Sequence, residues 1–374
     1  MEWAPDRPYN ELPQLPPPGV DLETKAVLKA TAAARAALAA LDQAVRRIPN
    51  PVVLVNAIPL LEAQASSEIE NIVTTTDDLF RFAQHPEDAA SPEVKETLRY
   101  RSALFAGVQS IESRPLTAST ALEVCTRIKD REMRVRDLPG TFIGNPLTRE
   151  AIYTPPEGRS RITAMLGNWE RFIHERRVLD PLVILAVQHY QFEAIHPFAD
   201  GNGRTGRILN VLLLMDAGLL HQPVLYLSRF IIEHKDEYYR RLLEVTRSGA
   251  WEPWILFVIE GVRSTALGTL EKIDRIQELQ QGMKEEITSV TRAGPNSVLL
   301  EVLFEQPYCR IANVIERCGV SRPTAAKWLS ELVEAGSLVD IRLGRDRLFI
   351  NRRFLEILAG ADPRLETSAD PTLF

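Results

Sequence analysis

His196-Pro197-Phe198-Ala199-Asp200-Gly201-Asn202-Gly203-Arg204-Thr205-Gly206-Arg207 gathers the parts of a phosphate-handling site into one short segment. Two glycines flank Asn202 just ahead of a helical pattern. Consecutive backbone N–H groups can therefore turn toward one point, where a helix N-terminus adds partial positive charge. Such a nest suits polyphosphate. Arg204 and Arg207 lie three apart on one helical face, so two guanidinium forks can converge beside it. Asp200 offers a hard oxygen ligand for Mg²⁺, an ion that keeps several waters and bridges substrate phosphates. His196, four residues earlier, titrates near neutrality and can take a proton from an incoming hydroxyl, a role worth about 10²–10⁴ in rate. Phe198 is expected to point inward and anchor the loop.

Each of these residues alone has an ordinary structural role, since a lone histidine is most often packed in a core and arginines on a helix are most often solvated. Their density within one segment favours a joint role. Gly201-Asn202-Gly203-Arg204-Thr205-Gly206 also fits the GxGxxG dinucleotide fingerprint, which needs a preceding strand and an acidic residue about 20 positions on. Here the preceding segment opens on the helix start Asp180-Pro181, and the later window Pro223 to Leu227 holds no acid. The P-loop pattern GxxxxGK[ST] is absent.

Outward from the motif, a long helix starting at Asp180-Pro181 leads into it and a second follows to Gly218, with further helices over roughly Arg229 to Thr246 and Trp251 to Leu267. Helical periodicity also marks an Ala-rich segment from Asp21, a credible cap, to Pro49, and then Leu60 to Ile72, Pro92 to Glu112 and Ala118 to Lys129. Strand signals are scarce. Thr141 to Ile143 and Ala151 to Tyr153 flank Gly144-Asn145-Pro146, which predicts a short hairpin between Gly140 and Gly158. The proline-rich residues 1 to 20 read as an extended arm against the body.

At 374 residues the chain exceeds the usual limit of one core, so several domains are expected. No apolar run reaches the roughly 18 residues of a membrane span, and Met1 to Pro18 lacks the basic-then-apolar pattern of an export signal, so a cytoplasmic protein is expected. Cys125, Cys309 and Cys318 are too scattered for a disulfide framework or a zinc site. A net charge of −6 argues against chain-wide attraction to nucleic acid.

Position for position, the motif resembles HxFx[D/E]GNGRxxR of the Fic family. The likeness extends over roughly residues 10 to 265. It implies a mainly α fold with a hairpin flap and a protein adenylyltransferase activity in which AMP passes from ATP to a Ser, Thr or Tyr hydroxyl of a protein, itself included. His196 would be the general base and Asp200 the Mg²⁺ ligand. Gly201, Asn202 and Gly203 would form the anion hole, with Thr205 beside them, and Arg204 and Arg207 would grip the β and γ phosphates. The resemblance further implies that the flap aligns the target's backbone, that Tyr238 and Tyr239 border the adenine pocket, and that the protein is a homodimer.

Ser66 and Glu70, four apart, share a helical face. With Asn71 they match the family's inhibitory pattern [S/T]xxxE[G/N], which implies that Glu70 pairs with Arg207 and restrains the enzyme. The same glutamate would suit the reverse reaction by orienting a water to remove AMP.

After Gly294-Pro295, Cys309 to Leu329 reads as helix, turn and helix, with Gly319 to Thr324 as turn and capped helix start, followed by two short strands, Leu338 to Ile341 and Arg347 to Ile350. This predicts a winged helix-turn-helix. From Pro307 to Arg353 nine basic residues (Arg310, Arg317, Arg322, Lys327, Arg342, Arg345, Arg347, Arg352, Arg353) face five acidic ones (Glu316, Glu331, Glu334, Asp340, Asp346), a net of +4. DNA is thus an alternative partner, and a transcription regulator with a sensor core is the rival to an enzyme. The expected division is 1–110 with an inhibitory helix around 60–72, a catalytic core 111–268, a helical connector 269–293, a winged helix 294–360 and a tail 361–374.

Overall fold

The computed structural model describes residues 3–48, 52–83, 86–89, 91–145, 150–174, 179–293, 297–343 and 346–359. The expected tail 361–374 lies outside the described residues, as do Pro146 and the linker Gly294-Pro295. Among the described residues no helix is long and apolar enough to cross a membrane.

Helix α1 (Lys25–Arg47) is capped by Thr24, whose side chain accepts from the Val27 N–H at 3.3 Å. Asp21, expected as the cap, instead accepts from Glu23, which leaves the helix start to the residue nearer its free N–H groups. The buried stripe Val27, Ala34, Leu38, Leu41 and Val45 packs α1 along α11 (Trp251–Val290). The second helix, α2 (Val52–Ile69), is buried along nearly its whole length, and α3 (Thr76–Phe82) follows it. Next come α4 (Pro92–Ser113), α5 (Ala118–Lys129), the hairpin β1 (Ile143–Asn145) and β2 (Glu150–Tyr153), and α6 (Arg159–Ile173). Asp180 caps α7 (Pro181–Ile195), a helix buried on nearly every side that forms the centre of the core against α6, α8 (Asn202–Asp216) and α11.

The helix expected over Arg229 to Thr246 is two, α9 (Leu227–Glu233) and α10 (Lys235–Ser248), broken at His234, where the backbone leaves helical geometry (φ −120°, ψ 34°). By contrast, the helix from Trp251 and the charged connector are one 40-residue helix, because its buried face (Val262, Ala266, Ile273, Ile276, Met283, Ile287) keeps helical spacing across the expected break. Neither α3 nor α6 is signalled clearly in the sequence.

The C-terminal part comprises α12 (Ser297–Glu305), β3 (Tyr308–Arg310), α13 (Ile311–Cys318), α14 (Arg322–Glu334), β4 (Val339–Leu343), β5 (Asp346–Ile350) and α15 (Arg352–Ala359). Its sheet is antiparallel in the order β3-β5-β4, with Ile350 facing Tyr308 on one side and Val339 on the other. Ser321 caps α14, with Pro323 in the first turn. This unit is docked: α12 and α15 pack on α2, the Asn56 amide of α2 donates to the Glu305 carbonyl, and the Tyr308 hydroxyl donates to Asp77 of α3.

The N-terminal arm lies against the body as expected. Tyr9 N–H donates to the Thr154 carbonyl at 2.9 Å and Gln191 donates to the Pro13 carbonyl at 2.8 Å. Asn168 both accepts from the Leu15 N–H (2.8 Å) and donates to its carbonyl (2.9 Å). Asn168→Ala leaves both buried Leu15 groups unpaired and is expected to lower unfolding stability by about 2–4 kcal/mol in urea titration; an unchanged midpoint would show that these two hydrogen bonds add nothing to the fold.

Candidate active site

Helix α7 ends at the motif because His196 adopts a left-handed conformation (φ 47°, ψ 60°), and α8 starts where Gly201 does the same (φ 81°). For a non-glycine residue this conformation costs roughly 1–2 kcal/mol, so the loop between must be held. Phe198 N–H donates to the Asn202 Oδ1 and the Asn202 amide donates back to the Phe198 carbonyl, both at 2.8 Å. The Phe198 ring is buried against Phe192. The Thr205 hydroxyl donates to the Gly201 carbonyl at 2.8 Å. Asn202 and Thr205 thus build the loop with their side chains, which leaves backbone amides rather than these side chains for a ligand.

A cavity of about 460 Å³ opens beside the loop. Its wall holds His196, Gly203, Arg207, Glu70 and Asn71 together with Tyr238, Tyr239, Leu242, Leu243 and Thr246, and Ile143, Gly144 and Ile152 of the hairpin also line it. Tyr238 is buried with its hydroxyl 2.9 Å from the His189 Nε2, whereas Tyr239 is 44% exposed. Phe142 and Ile152 present apolar surface outside.

Arg207 is buried. Its Nε donates to the Ser66 hydroxyl (2.8 Å), and its Nη2 donates to the Ser66 carbonyl (2.9 Å) and to Glu70 Oε1 (2.8 Å). Burial pushes the Glu70 carboxyl up, but the Arg207 guanidinium outweighs it and holds the group below its ordinary value, so Glu70 is charged at neutral pH. A Cβ on Gly203 would overlap the Glu70 carboxylate, which makes glycine necessary there in this arrangement. Asn71, left-handed at φ 62°, ends the segment.

Arg204 and Asp200 lie outside the cavity lining, in a separate charge network. Arg204 Nη1 pairs with Glu96 at 2.8 Å, Lys129 pairs with Glu96 at 3.0 Å, and Lys129 also pairs with Asp200 at 2.7 Å. Burial raises the Asp200 carboxyl, but Lys129 and Arg204 bring it below its ordinary value. Asp200 is half exposed, and among the described residues no three acidic, histidine or cysteine side chains form a metal cage. A single charged, reachable carboxylate fits an ion held mostly by water and substrate phosphates.

Four residues of this region carry no local signal of a site in the sequence: Lys129, Glu96, Glu193 and Arg136. Glu193, three before His196, lines the cavity, and its Oε1 is buried without a hydrogen-bond partner. Burial, helped by Glu70 and opposed by Arg207, pushes its pKa up to about 7. Arg136 reaches the loop from the segment after α5; its partners are long-range and leave no periodic trace.

Burial, with Arg136 adding to it, lowers the His196 imidazole to about 4, while Glu70 and Asp200 act the other way. The ring is therefore neutral and able to accept a proton at neutral pH.

A buried histidine, a left-handed glycine loop at a helix N-terminus and a paired arginine thus meet beside one cavity of a mainly helical domain. Residues 115–214 match the Fic/DOC family, residues 28–109 match the Fic/DOC family N-terminal, and residues 276–354 match the C-terminal domain of protein adenylyltransferase SoFic-like. The chain thus carries Fic/DOC family domains followed by a SoFic-like C-terminal domain. It is 30% identical over 127 residues to "Protein adenylyltransferase Fic" of Aedes aegypti (33% of this chain, 24% of the relative) and 30% identical over 158 residues to that of Drosophila melanogaster (40% and 31%). The chain spans only about a quarter to a third of the length of these relatives. A Fic family protein from Desulfovibrio desulfuricans G20 shares the fold, at TM-score 0.52 and 18% identity over 88% of this chain and 96% of that one.

In an NMR titration the His196 ring is expected to remain neutral down to a pKa of about 4. Accepting capacity is then present above that pH and lost below it, and a midpoint near the ordinary imidazole value would mean that the ring is solvated instead.

Proposed function

We propose that this protein is an adenylyltransferase that moves AMP from ATP to a protein hydroxyl and is restrained by Glu70. The observation that carries this reading is the Arg207 guanidinium, bound on its Nε and Nη2 side by Ser66 and Glu70 within the cavity that also contains His196. A triphosphate needs that charge, and Glu70 already holds it.

In the released state the Gly201 to Gly203 amides and Arg207 bind phosphate oxygens, and the part of the cavity wall formed by Tyr238 and Tyr239 takes the base. The target hydroxyl, aligned along the hairpin, attacks the α-phosphorus while His196 takes its proton. The bond from the α-phosphorus to the β-phosphate oxygen breaks, and pyrophosphate leaves. Asp200 would hold Mg²⁺, whose charge offsets that of the phosphates. Arg204, tied to Glu96, must exchange that partner or act through the network with Lys129 and Asp200.

The C-terminal sheet and helices support a winged-helix assignment. As a DNA surface the unit is weakened, because Arg317, Lys327, Arg347 and Arg353 pair with Glu305, Glu331, Asp340 and Glu286. Its docking on α2 and α3 favours a role within the protein.

With α-labelled ATP, Glu70→Gly is expected to raise label transfer about tenfold or more, by freeing the competent state; a variant no faster than wild type would remove the restraint from this account. In that background His196→Ala should lower transfer by about 10²–10⁴ while equilibrium dialysis still detects ATP binding. Full activity in that variant would point to a different base.

A further inference from the structure

Arg136 belongs to no recognised motif, yet its partners unite two parts of the site. Its Nε donates to the His196 carbonyl at 2.7 Å and its Nη2 donates to the Ile195 carbonyl at 3.2 Å, so it caps the carbonyl end of α7. Its own backbone N–H donates to the Pro197 carbonyl at 2.9 Å. The peptide groups on both sides of the left-handed His196 are thereby fixed. The same Nη2 also donates to the Pro156 carbonyl, just beyond the hairpin strand β2. A second tie runs in parallel, from the Tyr153 hydroxyl of β2 to the Ala194 carbonyl at 2.8 Å.

We propose that Arg136 is a positioning residue that locks the hairpin, where a protein target would lie, to the loop that aims the His196 imidazole. A planar fork suits this task, because several carbonyls converge on it from different segments and a lysine could serve them only as a point charge. The guanidinium is not among the residues lining the cavity, so its effect passes through His196 and the hairpin. This inference rests on the adenylyl-transfer reading for its kinetics but not for its titration.

The charged groups acting on His196 are Arg136, Glu70 from the end of α2 and Asp200 from the motif loop. Removing Arg136 therefore has a consequence that a merely structural residue would not produce: the imidazole becomes easier to protonate.

The test uses the full chain carrying Glu70→Gly. Arg136→Ala should lower kcat for protein labelling about a hundredfold and raise KM for the protein target, leaving KM for ATP within about twofold. Millimolar guanidinium should restore part of kcat. Unchanged kcat, or a loss confined to KM for ATP, would overturn the proposal. If Arg136→Ala does not fold, Arg136→Lys replaces it: kcat should fall while the His196 pKa stays low, since the charge is kept. Independently, NMR titration of Arg136→Gln in the otherwise wild-type chain should show the His196 pKa moved up, and an unmoved pKa would sink the proposal. If Glu70→Gly alone transfers no AMP, the adenylyl reading fails, and the titration still decides the role of Arg136.

Discussion

A buried guanidinium is expensive unless its N–H groups find partners, and Arg207 meets that cost with atoms from a different part of the chain. Ser66 supplies a hydroxyl and a carbonyl, and Glu70 supplies a carboxylate. The N-terminal helices and the motif helix α8 are thus joined at the charge centre of the cavity. Glu193 faces the same cation, but burial, with Glu70 adding to it, pushes its pKa up to about 7, whereas Arg207 holds Glu70 below its ordinary value. The glycines of the motif follow from this crowding. A side chain at Gly203 would displace Glu70, and one at Gly206 would displace Glu193.

Helix α2 buries the polar residues Glu62, Gln64, Ser66 and Ser67, and Glu70 follows directly after its last turn. Glu62 accepts from the Ser228 N–H at 2.9 Å, from the Ser228 hydroxyl and from the Tyr100 hydroxyl at 3.0 Å. The Gln64 amide donates to the Thr74 carbonyl and its oxygen accepts from Thr76, which fastens the end of α2 to the start of α3. Asp77 of α3 in turn accepts from Tyr308. Glu70 therefore sits at the end of a segment braced from the core and from the C-terminal unit, which fixes where its carboxylate points.

The sequence carried the helical core and the motif because both are local. Pro181 and Asp180 announce α7, the glycines around Asn202 announce a turned loop, and the spacing of Ser66 and Glu70 announces a shared face. Long-range contacts left no such trace. Arg136 looks like any loop arginine until the carbonyls of Ile195, His196 and Pro156 surround it. Lys129 and Glu96 read as solvated helix positions until Arg204 and Asp200 arrive. The break at His234 was hidden because the apolar periodicity continues through it. The continuity of α11 was hidden because its exposed face becomes strongly charged near the middle while its buried face does not change.

In the proposed reaction an imidazole with a pKa of about 4 accepts protons weakly as a base, yet its burial keeps it unprotonated at neutral pH. These two demands oppose each other in a rigid site. They are reconciled if the proton affinity rises during the reaction itself. Negative charge near the ring already acts in that direction, since Glu70 and Asp200 both raise the imidazole. A polyphosphate brought to the adjacent amide nest adds charge of the same sign at similar range, in surroundings where water screens poorly. The ring then gains affinity for a proton as the attacking hydroxyl begins to lose one. Burial, with Arg136 adding to it, sets the low starting point, and phosphates bound as proposed would supply the rise.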